Sequence, residues 1–135
     1  MDEKADRRGD SEKITINLGY VDLGHIDLLV REGFYSNRSD FIRTAIRTQL
    51  DRQSDAVKQS VARRHLELGL RHFTRADLEG VRAAGETLHI QVLGLAVIAS
   101  DVSPELARAT IASIQVLGAL QASPTVKAAL SDRII

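Results

Sequence analysis

Three polar residues occupy alternate positions of one short segment, namely Lys13, Thr15 and Asn17. Their side chains have hydrogen-bonding groups that suit the base-pair edges in the major groove of DNA. Lysine can donate to O6 and N7 of guanine, asparagine can pair with adenine through two hydrogen bonds, and threonine offers a hydroxyl and a methyl group. Such chemistry requires a backbone element that holds all three side chains on one face.

The segment that carries them alternates strictly between polar and apolar residues. It reads KITINL from Lys13 to Leu18 and is followed by Gly19. This period of two is typical of a strand with one buried face. Ile14, Ile16 and Leu18 therefore share the buried face, and the three polar residues share the exposed one.

Two amphipathic helices are predicted after this strand. The first has apolar residues at helical spacing from Leu23 to Val30, with Asp22 as a plausible cap and Gly33 as the stop. The second begins after Ser36, which can cap it. Its apolar stripe consists of Phe41, Ile42, Ala45, Ile46 and Leu50.

One strand and two helices provide too little core for an independent monomer. A lone strand also leaves its backbone hydrogen-bonding groups unpaired. The simplest solution is a two-fold dimer in which two strands pair antiparallel over four helices. The polar faces of the two strands then form one exposed ribbon, and a two-stranded ribbon fits the major groove.

The segment from Lys13 to Leu50 resembles the ribbon-helix-helix family of DNA-binding proteins, which includes the Arc, MetJ and CopG types. The matching features are the KITINL strand, the run GFYSNRSDFIRTAIR and the spacing between them. The resemblance implies a sequence-specific regulator of transcription that binds double-stranded DNA as a homodimer and acts as a repressor. For such a protein we expect a cytoplasmic location, in the bacterial cytosol or nucleoid.

The resemblance also implies roles for six residues. Lys13, Thr15 and Asn17 match the family's outward strand positions, which contact bases. Ser36, Asn37 and Arg38 match the start of its second helix, which anchors a phosphate. A helix N-terminus suits an anion because it presents free N–H groups and the positive end of the helix dipole.

The composition limits the classes of function. The 135 residues include 44% hydrophobic residues, so the chain should fold, and no cysteine, which excludes disulfides, thiol catalysis and cysteine-based zinc sites. Basic and acidic residues balance at 18 each, so a DNA site must gather its positive charge locally. Met1 to Asp10 lacks an apolar signal region, and Leu93 to Ala99 is too short to span a membrane.

The rest of the chain predicts an α+β protein with three parts. Residues 1–53 form the DNA-binding domain, residues 54–85 a helical connector, and residues 86–135 a small βαβα repeat domain. The connector contains a capping-box pattern from Thr74 to Asp77, and in the repeat the run from Gln91 to Leu95 recurs from Gln115 to Ala119. Pro104 and Pro124 fit the starts of two repeat helices.

The repeat domain shows no clustered acids and no nucleophile–base pair, so we expect neither an enzyme nor a cofactor. Its apolar strands favour a role in forming a higher homo-oligomer or in binding a protein partner, and a small-ligand sensor is the alternative. The N-terminal pattern also resembles ParD-type antitoxins, which would add a toxin as protein partner. Metal sensing has little support, because no two of the four histidines have ligand spacing: His25, His65, His72 and His89.

Overall fold

A computed structural model describes residues 11–135 of the chain. The chain divides into two compact units, of which the first ends at Lys58 and the second covers Gln59–Ile135. The first part of the chain forms three helices, α1 (Tyr20–Arg31), α2 (Arg38–Arg52) and α3 (Ser54–Arg64), the last of which crosses the boundary. The second unit continues with β1 (Glu67–Phe73), α4 (Arg75–Ala83), β2 (Leu88–Ile98), α5 (Pro104–Thr110), β3 (Ile111–Gln121) and α6 (Pro124–Ala129).

The two helices predicted at the N-terminal end are both present, and their ends correct two predicted caps. Gly19, rather than Asp22, is the N-cap of α1, and Asp22 lies in its first turn. Asn37, rather than Ser36, caps α2. Gly33 follows the C-terminus of α1, as predicted, and has a φ of 87°. Glycine is favoured at this position because the conformation strains residues that carry a Cβ.

The predicted strand from Lys13 to Leu18 is not a strand in the single chain. Residues 11–19 have no regular secondary structure. The physical reason is that a strand exists only through hydrogen bonds to a neighbouring strand. No second strand is present in the described residues before α1, so two helices of the predicted β-α-α order are observed and the strand is not.

The second unit corrects the predicted helical connector and the two-stranded repeat. Glu67–Phe73 forms a strand where a helical connector over residues 54–85 was predicted. The unit contains one parallel sheet of three strands in the order β1-β2-β3. A strand followed by a helix therefore occurs three times here, and the predicted βαβα domain is the second and third of these pairs.

Helices α4, α5 and α6 start as the sequence predicts. Thr74 and Asp77 form a reciprocal capping box at α4, in which each side chain accepts a hydrogen bond from the other residue's backbone N–H. Ser103 and Ser123 cap the next two helices, directly before Pro104 and Pro124. The missing N–H of each proline falls where a helix has no partner for it.

The core of the second unit is aliphatic and lies on one face of the sheet. Strand β2 alternates between buried and less buried positions, with Ile90, Val92, Ala96 and Ile98 facing inward. The remaining core residues come from the other strands, the helices and the connecting turns: Phe73, Leu78, Val102, Leu106, Ala107, Ile111, Ile114, Val126 and Leu130. This core gives the second unit a fold of its own.

A column of three glycines crosses the sheet in register. Gly69 pairs with Gly94, which pairs with Gly118, and all three have φ between 118° and 137°. A Cβ at Gly94 would collide with the carbonyl oxygen of Gly69, and a Cβ at Gly118 with that of Gly94. Glycine is therefore required at the two inner positions both by the backbone conformation and by the close approach of the next strand.

Candidate nucleic-acid interface

The three residues predicted to contact bases lie in the N-terminal segment, meaning residues 11–19 before α1. Lys13, Thr15 and Asn17 are all exposed and alternate along the chain. The intervening apolar side chains are exposed as well, with Ile14 at 77% and Ile16 at 59% of their maximal accessible area. The single chain thus leaves both faces of this segment in solvent, although only one of them is polar.

Helix α2 also has an uncovered apolar stripe. None of its residues is buried, and Ile46 and Leu50 rank among the exposed large hydrophobic side chains. Its start is better packed, because the Tyr35 and Phe41 rings meet edge to face at 5.0 Å between centroids. Uncovered apolar residues on both the N-terminal segment and α2 indicate that this unit lacks a partner surface when alone.

The start of α2 is organised by two hydrogen bonds that both involve Asp40. The Asn37 side chain accepts from the Asp40 backbone N–H at 2.8 Å, and the Asp40 carboxylate accepts from the Ser36 N–H at 2.9 Å. All three predicted phosphate-contact residues thus lie at the helix N-terminus, with Ser36 before the cap, Asn37 as the cap and Arg38 as the first helical residue. The Asp40 carboxylate places negative charge in the same turn, so an incoming anion must avoid it or displace it.

Arg38 is engaged in a bidentate ion pair with Asp27 of α1. Its Nε and Nη2 atoms each donate to a different carboxylate oxygen at 2.8 Å. The hydrogen bonds from Arg38, reinforced by the nearby charges, hold the pKa of the Asp27 carboxyl below its usual range, and the same contact raises the pKa of Arg38. The pair links α1 to α2 across the turn, so Arg38 has a structural partner before any phosphate arrives.

The sign of the Asp27 shift fixes how this link depends on pH. The folded-state pKa lies below the ordinary value of 3.8, so the stabilisation is fully present above that value. It is lost only as the pH falls through the lowered pKa. The link between α1 and α2 is therefore intact throughout the neutral range in which DNA binding would be measured.

The predicted site residues lie in two groups, one before α1 and one at the start of α2. The carboxylates of Asp27 and Asp40, which lie beside the second group, were not predicted from the sequence. Asp27 lies 11 positions before Arg38, and no local pattern links the two. Asp40 could have been identified, because an Asn followed three residues later by an acidic residue is close to a capping-box pattern.

Residues 11–135 hold no group of three or more His, Cys, Asp or Glu side chains that could bind a metal ion. His89, one of the four histidines, shares a 2.8 Å hydrogen bond between its Nδ1 and the Ser113 Oγ. No helix among these residues combines the length and apolar character needed to cross a membrane.

Comparison with known protein families identifies a match to most of the chain. The family model of the ribbon-helix-helix transcriptional regulator family matches residues 9–127. This range includes the N-terminal segment, all of α1 to α5, and nearly all of the second unit. Searches of curated proteins and of solved structures gave no match.

Proposed function

Since the chain belongs to the ribbon-helix-helix transcriptional regulator family and is thus a DNA-binding regulator of transcription, we propose that it acts as a repressor. It binds as a homodimer that inserts a two-stranded ribbon into the major groove. The observation that carries the proposal is the segment Lys13–Leu18, in which polar and apolar residues alternate while every side chain is exposed. Pairing with the same segment of a second chain buries the apolar face and leaves the polar face for bases.

Energetics favour this pairing over a free monomer. Each chain exposes Ile14, Ile16, Ile46 and Leu50, and burial of a large aliphatic side chain stabilises an assembly by about 1.5–3 kcal/mol. The backbone of the N-terminal segment gains a ladder of hydrogen bonds in the same step. Both gains require a second copy of the chain, so dimerisation and formation of the ribbon are one event.

Replacement of Asn17 by alanine tests whether this side chain contacts bases in the DNA site. The variant should keep its helices and its dimer, since Asn17 is on the polar face. It should lose about 1–3 kcal/mol for each equivalent base contact and discriminate less between a selected site and a scrambled one. Fluorescence anisotropy with both DNAs measures the loss, and circular dichroism tests the fold. If helix content falls together with affinity, Asn17 has a structural role and the two faces are inverted.

Contact of Arg38 with phosphate can be separated from its link to Asp27. Arg38→Ala should weaken binding to all DNA sequences alike and lower the slope of log affinity against log salt. Asp27→Ala is the matched control, because it breaks the same ion pair but leaves the guanidinium available. It should retain or increase affinity for DNA. Equal loss of affinity in both variants would mean that Arg38 acts only by joining α1 to α2.

We further propose that the second unit increases the order of assembly beyond the dimer. Its outer sheet face, meaning the side chains that point away from the helices, carries Leu68, Leu70 and Leu117, all exposed. No charged residue interrupts these positions or their neighbours Leu93 and Leu95 on β2. Exposed apolar positions of this kind mark association surfaces rather than solvated ones.

A further inference from the structure

The two edges of the sheet are not equivalent. On the β3 side, the segment Arg133–Ile135 covers part of the edge: the Ile114 N–H donates to the Arg133 carbonyl at 2.9 Å, and the Ile135 N–H donates to the Ile114 carbonyl at 2.8 Å. The Arg133 side chain donates to the Ile111 carbonyl at 2.7 Å. This edge is thus occupied over its first half, as edges that must not pair usually are.

The β1 edge has no such cover within residues 11–135. Strand β1 pairs only with β2, and every residue of it except Phe73 is exposed. Leu68 and Leu70 keep 76% and 62% of their accessible area. A row of unpaired backbone groups flanked by exposed leucines is a template for another strand.

From this asymmetry and from the charges on β1, we propose that the β1 edge pairs antiparallel with the β1 edge of a second copy of the chain. The two three-stranded sheets then join into one sheet of six strands. This inference rests on the second unit alone and does not depend on how the protein reads DNA.

The charges select one register for this pairing. Glu67 and Arg71 lie on the same face of β1, with Arg71 Nη1 3.0 Å from Glu67 Oε2, and both side chains are about half exposed. An antiparallel pair centred on Gly69 sets each Glu67 opposite the second copy's Arg71, twice per pair by symmetry. The same register sets Leu68 opposite Leu70 of the second copy. Gly69 lies at the centre of the pair, where it has no Cβ and has open space beside it.

Other registers and other pairing partners fit the β1 edge less well. A shift by two residues that sets Gly69 opposite Arg71 puts Glu67 opposite Phe73 and removes both charge pairs. Head-to-tail addition of β1 to β3 meets the Arg133–Ile135 segment on the first half of β3. A second copy in the two-fold register is thus the occupant that the charges and the free edge fit.

Disulfide cross-linking of the full-length protein can detect this register. The chain has no cysteine, so Leu68→Cys and Leu70→Cys, introduced together, place two cysteines opposite those of the second copy. Oxidation should give a covalent dimer rapidly. Either cysteine alone should react much more slowly, because each then lies diagonally from its twin. Equal rates for the single and double variants would overturn the proposal.

Charge reversal in the two-cysteine protein tests the pairing energetically. Glu67→Arg or Arg71→Glu alone should slow cross-linking about tenfold, since two attractive pairs become repulsive. A mixture of the two variants should recover the original rate as a heterodimer, because opposite charges again face each other. If the charges acted only within one strand, mixing would restore nothing, and that result contradicts the proposal.

A matched control uses the other exposed i,i+4 ion pair of this unit. Arg75 and Glu79 on α4 lie 3.0 Å apart with similar exposure. Glu79→Arg should leave the rate of cross-linking unchanged, since α4 is not part of the proposed strand pair. A tenfold effect from this control would show that cross-linking follows net charge and not the β1 register, and the proposal would fail.

Discussion

Replacing Ile16 with aspartate should abolish DNA binding by preventing formation of the dimer. Ile16 is 59% exposed in the single chain, so the substitution has little reason to disturb the helices of a monomer. In the proposed ribbon it lies on the face that packs over the helices of both chains. Two aspartates per dimer would each lose hydration at a penalty of several kcal/mol, which corresponds to weaker dimerisation by about 10³-fold or more.

Light scattering and DNA binding on the same samples would measure this effect. The wild-type protein should have at least twice the chain mass of 14.8 kDa. Asn17→Ala, next to Ile16 but on the opposite face, is the control and should keep that mass. A variant with aspartate at position 16 that still binds DNA tightly would show that the apolar face of Lys13–Leu18 is not buried in the complex.

Removal of residues 65–135, which contain the whole sheet, should lower the overall affinity for two adjacent DNA sites by about 10²–10⁴-fold. The linkage between dimers raises the effective concentration at the second site without new base contacts. A fragment of residues 1–64 ends with α3 and removes the whole sheet. It should remain a dimer and bind a single site with unchanged preference, because the ribbon and its helices are intact.

Comparison of one site with two adjacent sites isolates this effect. The full-length protein should bind the two-site DNA cooperatively, and the fragment should bind each site independently. Similar cooperativity in both proteins would assign the coupling to the N-terminal unit. The exposed leucines of the second unit would then need another role, such as contact with a different protein or ligand.

The features that the sequence predicted correctly depend on local patterns. Helix starts at Thr74, Pro104 and Pro124 follow from residues within one turn of each helix, and the stop after α1 follows from Gly33. The family was recognised from the KITINL strand and the run that begins at Gly33, and the family match over residues 9–127 confirms it.

Strand β1 was not predicted because the pattern of the repeat is weaker in its sequence. Leu68-Gly69-Leu70 is a third copy of the Leu-Gly motif that identified the repeat, and it aligns with Leu93-Gly94-Leu95 in the sheet. Its neighbours are Glu67, Arg71 and His72, since an edge strand with little cover carries polar side chains. The charged residues concealed the repeat and favoured the interpretation as a polar helical connector.

Features that depend on distant residues or on a second chain could not be derived from local patterns. The partner of Arg38 is Asp27, on another helix, so its structural role was not visible in the motif around Asn37. The proposed strand at Lys13–Leu18 is a second such feature, because a strand depends on hydrogen bonds to a neighbouring strand. In the single chain, residues 11–19 have no regular secondary structure.

Methylation interference on a DNA site selected by the protein tests the central claim most directly. Methylation of guanine N7 blocks the major groove, whereas methylation of adenine N3 blocks the minor groove. If Lys13, Thr15 and Asn17 read bases from a ribbon in the major groove, N7 methylation within the site should prevent binding and N3 methylation should have little effect. Binding that tolerates N7 methylation but is blocked at adenine N3 would contradict the account.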